Sequence, residues 1–230
     1  MLHKQIWMLV RHGLKLDWAS KERLISPLLF SLVMLTVFTF TAGQIPALYA
    51  KPVFVSQTFL VLVFALQNAF SRILDPEQKD QVAELMRTYP LSMGAWYTAK
   101  FLLAVLHGIW ILLPSLLVSA LFYGEYDVGF AFYLGFFGIL LLCLLGLASV
   151  GTLATAMTLQ ATGKDLVQPL LYFTLAIPLL LAGSQASLQL LQGQNLEDFH
   201  HWIYLLVGFD TMFLTAGVLF FGIVMSDSSS

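Results

Sequence analysis

An acidic side chain, Asp210, stands inside one of the longest apolar stretches of the sequence. On membrane-insertion scales, a carboxylate at such a position costs roughly 2.5–3.5 kcal/mol. Protonation, a partner within a complex or a polar cavity has to offset that cost. Gln57, Gln67 and Asn68, which lie in another apolar stretch, are candidate partners, and a neighbouring subunit is a further one. For the three amides themselves, hydrogen bonding between helices is the ordinary role.

The histidines and the single cysteine do not have the spacing of a metal or haem site. One cysteine, Cys143, excludes an internal disulfide and a CxxC pair. His200 and His201 are adjacent, so on a helix they point about 100° apart and cannot easily share one iron. His107 lies in an apolar stretch, where we expect it to hydrogen-bond a neighbouring helix. We therefore predict no directly bound metal or cofactor.

No motif in the sequence predicts nucleotide binding or catalysis. Thr162-Gly163-Lys164 resembles the end of a phosphate-binding loop, but the first glycine of that motif is missing and no strand precedes it. HExxH and GxSxG are absent as well. We expect the chain not to be an enzyme, so energy for any transport has to come from a separate subunit.

The elements that position these residues are apolar and long. Hydrophobic residues make up 59% of the 230 residues and charged residues 10%, whereas soluble domains carry about a quarter charged residues. Six runs are long enough to cross roughly 30 Å of hydrocarbon as helices. They cover 24–42, 53–73, 101–123, 128–159, 166–186 and 202–225. The sequence predicts an all-α, polytopic membrane protein with one permease-type domain over 1–230.

The distribution of basic residues predicts the orientation of the chain in the membrane. If the N-terminus is cytoplasmic, ten of the 11 lysines and arginines fall on the inner side, and only Lys51 falls outside. This is a strong positive-inside bias. We predict an inner-membrane protein with both termini and the loop after the second span in the cytoplasm. The net charge of −2 gives no reason to expect nucleic acid as a partner.

Residues 1–23 have the pattern of an amphipathic helix at the membrane surface. Lys4, Arg11, Lys15 and Glu22 fall within one stripe at 100° per residue. Apolar residues, including Leu9, occupy the arc beside it. We predict that this helix buries its apolar side at the headgroup boundary. Three tryptophans near span ends are predicted to anchor in the same boundary: Trp96, Trp110 and Trp202.

The predicted cytoplasmic loop, 72–100, contains a short charged helix. Asp75 before Pro76 is typical of a helix N-cap followed by proline at the first helical position, and Pro90 marks the end of the helix. Its apolar face, which includes Leu85, could dock into a groove on a soluble partner. A solvated connector is the alternative. In the fourth span, Ala148, Gly151 and Thr155 form a small-residue ridge suited to close packing, to a dimer or to a partner subunit.

Over nearly its whole length the sequence resembles the haem exporter protein B family, the permease subunit of the bacterial cytochrome c maturation transporter. The resemblance includes the basic amphipathic start and the six-span spacing. Its more specific residues are Arg72, Asp80, Glu84, Pro90-Leu91, Ala99-Lys100 and Ile177-Pro178-Leu179-Leu180.

That resemblance implies a role and a set of partners. A homodimeric cytoplasmic ABC ATPase is expected to bind the loop after span two, with Arg72, Asp80, Glu84, Leu85, Arg87 and Pro90 in or near the coupling site. A haem-binding membrane subunit, a small single-span subunit and a haem chaperone are expected in the same pathway. The permease itself is not expected to ligate haem, because the complex handles it.

Two other functions stay open at this point. The chain could export another substrate, lipid-like or drug-like, as an ABC permease. It could also be a non-transport membrane scaffold whose loop recruits a soluble partner without energy coupling. Co-purification with an ATPase, or a neighbouring gene that encodes one, would distinguish the two transport functions from the scaffold.

Overall fold

The chain folds as a bundle of long helices. A computed structural model describes residues 2–43, 46–75, 92–123, 129–158, 161, 163–194 and 196–227, and in those ranges it contains seven α-helices and no strand. They are α1 Leu2–Ala19, α2 Lys21–Ala42, α3 Ala47–Phe70, α4 Met93–Tyr123, α5 Phe130–Thr158, α6 Lys164–Leu191 and α7 Leu196–Asp227. Helices α2 to α7 are long and apolar enough to span a membrane. The predicted all-α, six-span fold is confirmed.

Five of the six spans begin earlier than predicted, and the shifts at α4 and α7 are among the largest. Helix α4 starts at Met93 rather than at residue 101, so the predicted 72–100 loop is shorter than expected. Its first turns are buried against the bundle, including Trp96 and Tyr97, so Trp96 is a core residue and the prediction of a membrane-surface anchor is wrong. Helix α7 starts at Leu196 rather than at 202, with two acidic residues in its first turn, where the helix dipole favours negative charge.

Helix α5 lies at the centre of the bundle and contacts α3, α4, α6 and α7. Its small residues allow these close approaches. A Cβ atom at Gly151 would collide with the Phe70 ring of α3, and Thr155 Oγ1 donates to the Phe70 carbonyl at 3.0 Å. The predicted ridge therefore packs inside the chain, and Gly151 and Thr155 are used there rather than in a contact between subunits.

Helices α2, α3 and α4 are joined by buried polar contacts. Gln57 Nε2 of α3 donates to the Leu35 carbonyl at 3.1 Å and to Thr39 Oγ1 at 3.0 Å on α2. Ser115 of α4 donates to Ser31 of α2 at 2.9 Å. Such bonds contribute modestly in membranes, on the order of 0.6 kcal/mol each. They fix which faces of these spans meet.

Helix α1 is separate from the first span, as predicted, but its apolar side contacts protein. Val10 is 4% exposed, and Ile6 and Leu9 pack on the same core. A Cβ atom at Gly13 would collide with Leu103 of α4, so the two helices approach closely. The apolar side predicted to face headgroups is therefore covered in part by α4.

Candidate functional site at the loop root

Residues 71–75 directly follow α3 and are called the loop root here. Ile73 is 5% exposed and Leu74 is fully buried, so this segment is held against the bundle. Of the predicted coupling residues, Arg72 lies in the loop root. The other five lie outside the described residues: Asp80, Glu84, Leu85, Arg87 and Pro90. The structure therefore shows how the start of the predicted coupling segment is attached to the spans.

Lys100 attaches the loop root to α4. Its Nζ atom donates to the Ile73 carbonyl at 3.1 Å, and the residue is only 6% exposed. A lysine this deeply buried is rare unless its charge is satisfied. Hydrogen bonds that involve a charged group contribute about 1.5–3 kcal/mol. Since the acceptor is a backbone carbonyl, this contact fixes the path of the chain itself.

Lys164 attaches the loop root to α6. Its Nζ atom lies 3.3 Å from Asp75 Oδ1, and both side chains are partly buried. Lys164 is the first residue of α6, and Gly163 before it has φ 84°, a left-handed conformation that glycine adopts at little cost. Gly163 thus allows the chain to turn into α6 with Lys164 beside the loop root. Nothing in the sequence predicted that Lys164 would pair with Asp75.

Arg72 attaches the loop root to the start of α2. The guanidinium lies 3.2 Å from Glu22 Oε1, with side chains that are 39% and 81% exposed. Exposed ion pairs contribute about 0–1 kcal/mol. Arg72 therefore gives the loop root a contact with a third helix, α2, but this contact adds little to the stability of the fold.

A polar cavity of about 280 Å³ lies beside the loop root, between α3 and α6. Gln67 Nε2 donates to Gln168 Oε1 at 3.1 Å, and Gln168 Nε2 donates to Thr155 Oγ1 at 3.4 Å. The chain of amides joins α3, α6 and α5, so the predicted interhelical hydrogen bonding of Gln67 is confirmed. Asn68 lines the same cavity. These contacts extend the attachment of the loop root into the bundle.

A second charged cluster joins α1 to α4 near the same end of the bundle. Asp17, 5% exposed, lies 2.9 Å from the Arg23 guanidinium and 3.1 Å from His107 Nε2. The histidine contact is close but not aligned as a hydrogen bond, and it is an ion pair only when His107 is protonated. His107 thus contacts a neighbouring helix, but the hydrogen bond expected of its Nε2 atom is absent among the described residues. Asp17 was missed, because nothing in the sequence relates it to residue 107.

Asp210 belongs to neither cluster and lies near the middle of the apolar stretch Glu197–Gly222. It is 6% exposed and packs against Gly146 of α5. Among the described residues, no group hydrogen-bonds its buried Oδ1 atom. Gln57 and Gln67, two of the candidate partners, hydrogen-bond to other groups. The carboxyl group is not part of the loop-root site.

The histidines on α7 do not assemble a metal site. His200 Nδ1 contacts the Glu197 carbonyl at 2.6 Å, and the rings of His200 and His201 are nearly perpendicular. Across the part of the chain that the structure describes, no three side chains of His, Cys, Asp or Glu are grouped to hold a metal ion.

The loop root, which directly follows α3, thus contacts α2, α4 and α6. The family model described as CcmB protein matches residues 4–225, which is nearly the whole chain. The chain belongs to the CcmB family. No curated protein matches the sequence. Membership implies a multi-pass membrane permease component of a haem-exporter ABC transporter that serves cytochrome c maturation, in which the ATPase is a separate subunit.

Sequence reasoning found part of this CcmB-family site and missed its partners. Arg72 and Gln67 were singled out, whereas Lys164, Glu22 and Gln168 were not. One signal was present in the sequence. The residues directly before Lys100 are mostly apolar or small, which is compatible with a helix that includes Lys100. The acceptor of its charge, a backbone carbonyl, has no sequence signature.

Proposed function

We propose that the chain couples ATP hydrolysis on a cytoplasmic ABC ATPase to movement of its own spans, in the service of haem-chaperone release during cytochrome c maturation. The ATPase, expected as a homodimer, binds the segment between α3 and α4. The haem-binding subunit, the small single-span subunit and the chaperone complete the assembly. This proposal rests on family membership and on the contacts of the loop root.

The observation that carries the proposal is the buried contact between Lys100 and the Ile73 carbonyl, at 3.1 Å. A push on the segment after residue 75 acts first on the loop root. Because the root is bonded to α4 through Lys100 and to α6 through Lys164, it cannot shift without pulling on both spans. Rigid packing then passes the displacement onward, since close-packed interiors transmit strain.

The proposal requires the loop and both termini to be cytoplasmic. The ten-to-one distribution of basic residues supports this orientation. Reporter fusions after Pro90 and after Met225 are expected to be active only with a reporter that works in the cytoplasm. Activity of an exported reporter at either position would contradict the orientation.

ATPase recruitment is tested by reversing a charge in the predicted coupling helix. Glu84→Lys is expected to weaken co-purification of the ATPase at least severalfold while membrane insertion stays normal, because contacts buried in an interface dominate its affinity. Glu125→Lys, a reversal in the connection between α4 and α5, is the control and should leave recruitment unchanged. Full recruitment by Glu84→Lys, together with normal cytochrome c, would rule out the docking role.

A scaffold that recruits a partner without energy coupling gives a different result with Lys100→Met. In our proposal this variant still binds the ATPase, because the docking segment is intact, but ATP hydrolysis no longer supports cytochrome c maturation. A scaffold needs only recruitment, so it would keep cytochrome c at the wild-type level. Co-purification and haem staining of the same cells separate the two.

A further inference from the structure

An open cavity of about 560 Å³ lies between α1, the first turn of α2 and α4. It is distinct from the polar cavity beside the loop root. Its walls are mostly apolar, and several are well exposed: Trp18 is 71% exposed, Trp110 48% and Leu106 42%. In a chain that spans a membrane, exposed apolar walls of this kind are available to lipid acyl chains.

Two basic residues stand at the edge of this cavity. Arg11 and Lys15 line it from α1 and lie one helical turn apart, so their side chains are neighbours. Both are exposed, and neither has an ion pair among the described residues. The one acid that lines the cavity, Asp17, is already engaged by Arg23 and His107. The edge of the cavity therefore carries uncompensated positive charge.

The cavity lies where a headgroup meets hydrocarbon. Charged residues 21–23 mark the start of α2, and Leu24 in the cavity wall directly follows them. Trp18 of α1 flanks the opening, and tryptophan prefers the membrane–water interface, whereas Trp110 lies near the middle of α4 and forms the inner part of the wall. The basic residues are thus at headgroup level and the apolar walls extend inward from them.

We propose that this cavity binds one anionic phospholipid of the cytoplasmic leaflet. Its phosphate lies between Arg11 and Lys15, and an acyl chain follows Leu24, Leu106 and Trp110. Basic pockets between membrane helices on the cytoplasmic side recognise anionic headgroups by this chemistry. The inference rests on the cytoplasmic N-terminus proposed above, and it does not depend on energy coupling.

Native mass spectrometry of the full chain in detergent tests the site, with phosphatidylglycerol and phosphatidylcholine of identical acyl chains as probes. One phosphatidylglycerol is expected to stay bound per chain. The double variant R11Q/K15Q should bind it about thirtyfold more weakly, since each basic residue near the headgroup contributes roughly fivefold. Lys4→Gln is the matched control, because Lys4 is exposed on the same helix but does not line the cavity. It should bind like wild type.

A second variant tests the apolar wall without touching the charges. Leu106→Trp fills the cavity and should displace the lipid while the circular dichroism spectrum stays that of wild type. If Lys4→Gln lost phosphatidylglycerol as strongly as R11Q/K15Q, or if the wild-type chain retained phosphatidylcholine as well as phosphatidylglycerol, the binding would be unspecific and the proposed site would be wrong. A haem absorption band from the purified chain that disappears in His107→Ala would assign the cavity to haem instead. Absence of the lipid from the complex purified with its ATPase would assign it to a partner subunit.

Discussion

The loop root and the middle of α7 both place charge inside an apolar protein, but among the described residues only the charges at the loop root have partners. Lys100 and Lys164 each have an acceptor on the segment that follows α3. Asp210 is as buried as Lys100, yet its Oδ1 atom has no hydrogen-bond partner in the described part of the chain. Paired charges join elements that must move together. Asp210 joins no elements in this way among the described residues, so its substitution should affect stability differently.

Helix α5 contacts both regions through glycine. Gly151 faces Phe70, three residues before Ile73, and Gly146 faces Asp210 and Leu179. The same close-packed helix therefore supports the loop root and covers the lone carboxyl group. Substitutions in α5 and in the helices that pack on it can therefore show how the two regions differ in their contribution to stability.

Gly151→Leu is expected to have the largest effect, because its side chain would enter the space of Phe70. Overpacking of a close contact costs about 1–3 kcal/mol and sometimes more. Thermal unfolding in detergent should show a clear fall in Tm, and less protein should accumulate in the membrane. Gly138→Leu on the same helix is the control, since a Cβ atom there meets nothing within 4 Å. Equal behaviour of the two variants would contradict the close approach of α3 and α5.

Lys100→Met should have the next largest effect. Methionine keeps much of the apolar stem but leaves the Ile73 carbonyl without its buried donor, which costs about 1–3 kcal/mol. Tm should fall relative to wild type, whereas Lys4→Met, at an exposed position, should leave it unchanged. A wild-type Tm for Lys100→Met would mean that the contact does not hold the loop root.

Asp210→Asn should have the smallest effect on stability, in contrast to Lys100→Met. The amide has nearly the same shape, and removing an unpaired buried charge relieves a desolvation cost. We expect Tm to stay the same or to rise slightly. A fall comparable with that of Lys100→Met would show that the carboxylate has a stabilising partner. Cytochrome c haem staining of Asp210→Asn, beside an immunoblot, then reports any role in the complex.

The spans could be predicted because a helix in lipid needs a continuous run of apolar residues, and each such run can be recognised without knowing the rest of the fold. Their ends were harder to predict. Residues 93–100 include Gly94, Thr98 and Lys100, which interrupt the apolar run, but packing against α7, as between the Trp96 and Phe221 rings, holds the segment in α4. Glu197 and Asp198 likewise appeared to belong to a connection and instead begin α7.

The partners within the site could not be predicted for a different reason. Asp17 and His107 are 90 positions apart, and Asp75 and Lys164 are 89 apart. No periodicity relates such residues, since their proximity depends on how the spans pack. Asp210 shows the converse. Its cost was evident from sequence, but the expected partner was not found within the described chain.

In our proposal, the loop root transmits force to the spans through its hydrogen bonds and ion pairs. Reversing the ion pair between Asp75 and Lys164 tests this transmission. Asp75→Lys and Lys164→Asp each place like charges where an ion pair stood, at 3.3 Å. The double variant restores the pair with its polarity reversed. Cytochrome c haem staining would be measured in all three, with immunoblots for membrane abundance and co-purification to show that the ATPase still binds.

We predict that each single variant retains the ATPase but loses most of its cytochrome c, and that the double variant recovers at least about half of the wild-type level. Arg72→Gln, which breaks only an exposed pair contributing about 0–1 kcal/mol, serves as the control and should stay near wild type. Normal cytochrome c in both single variants, or no recovery in a double variant that is present in normal amounts, would contradict the claim.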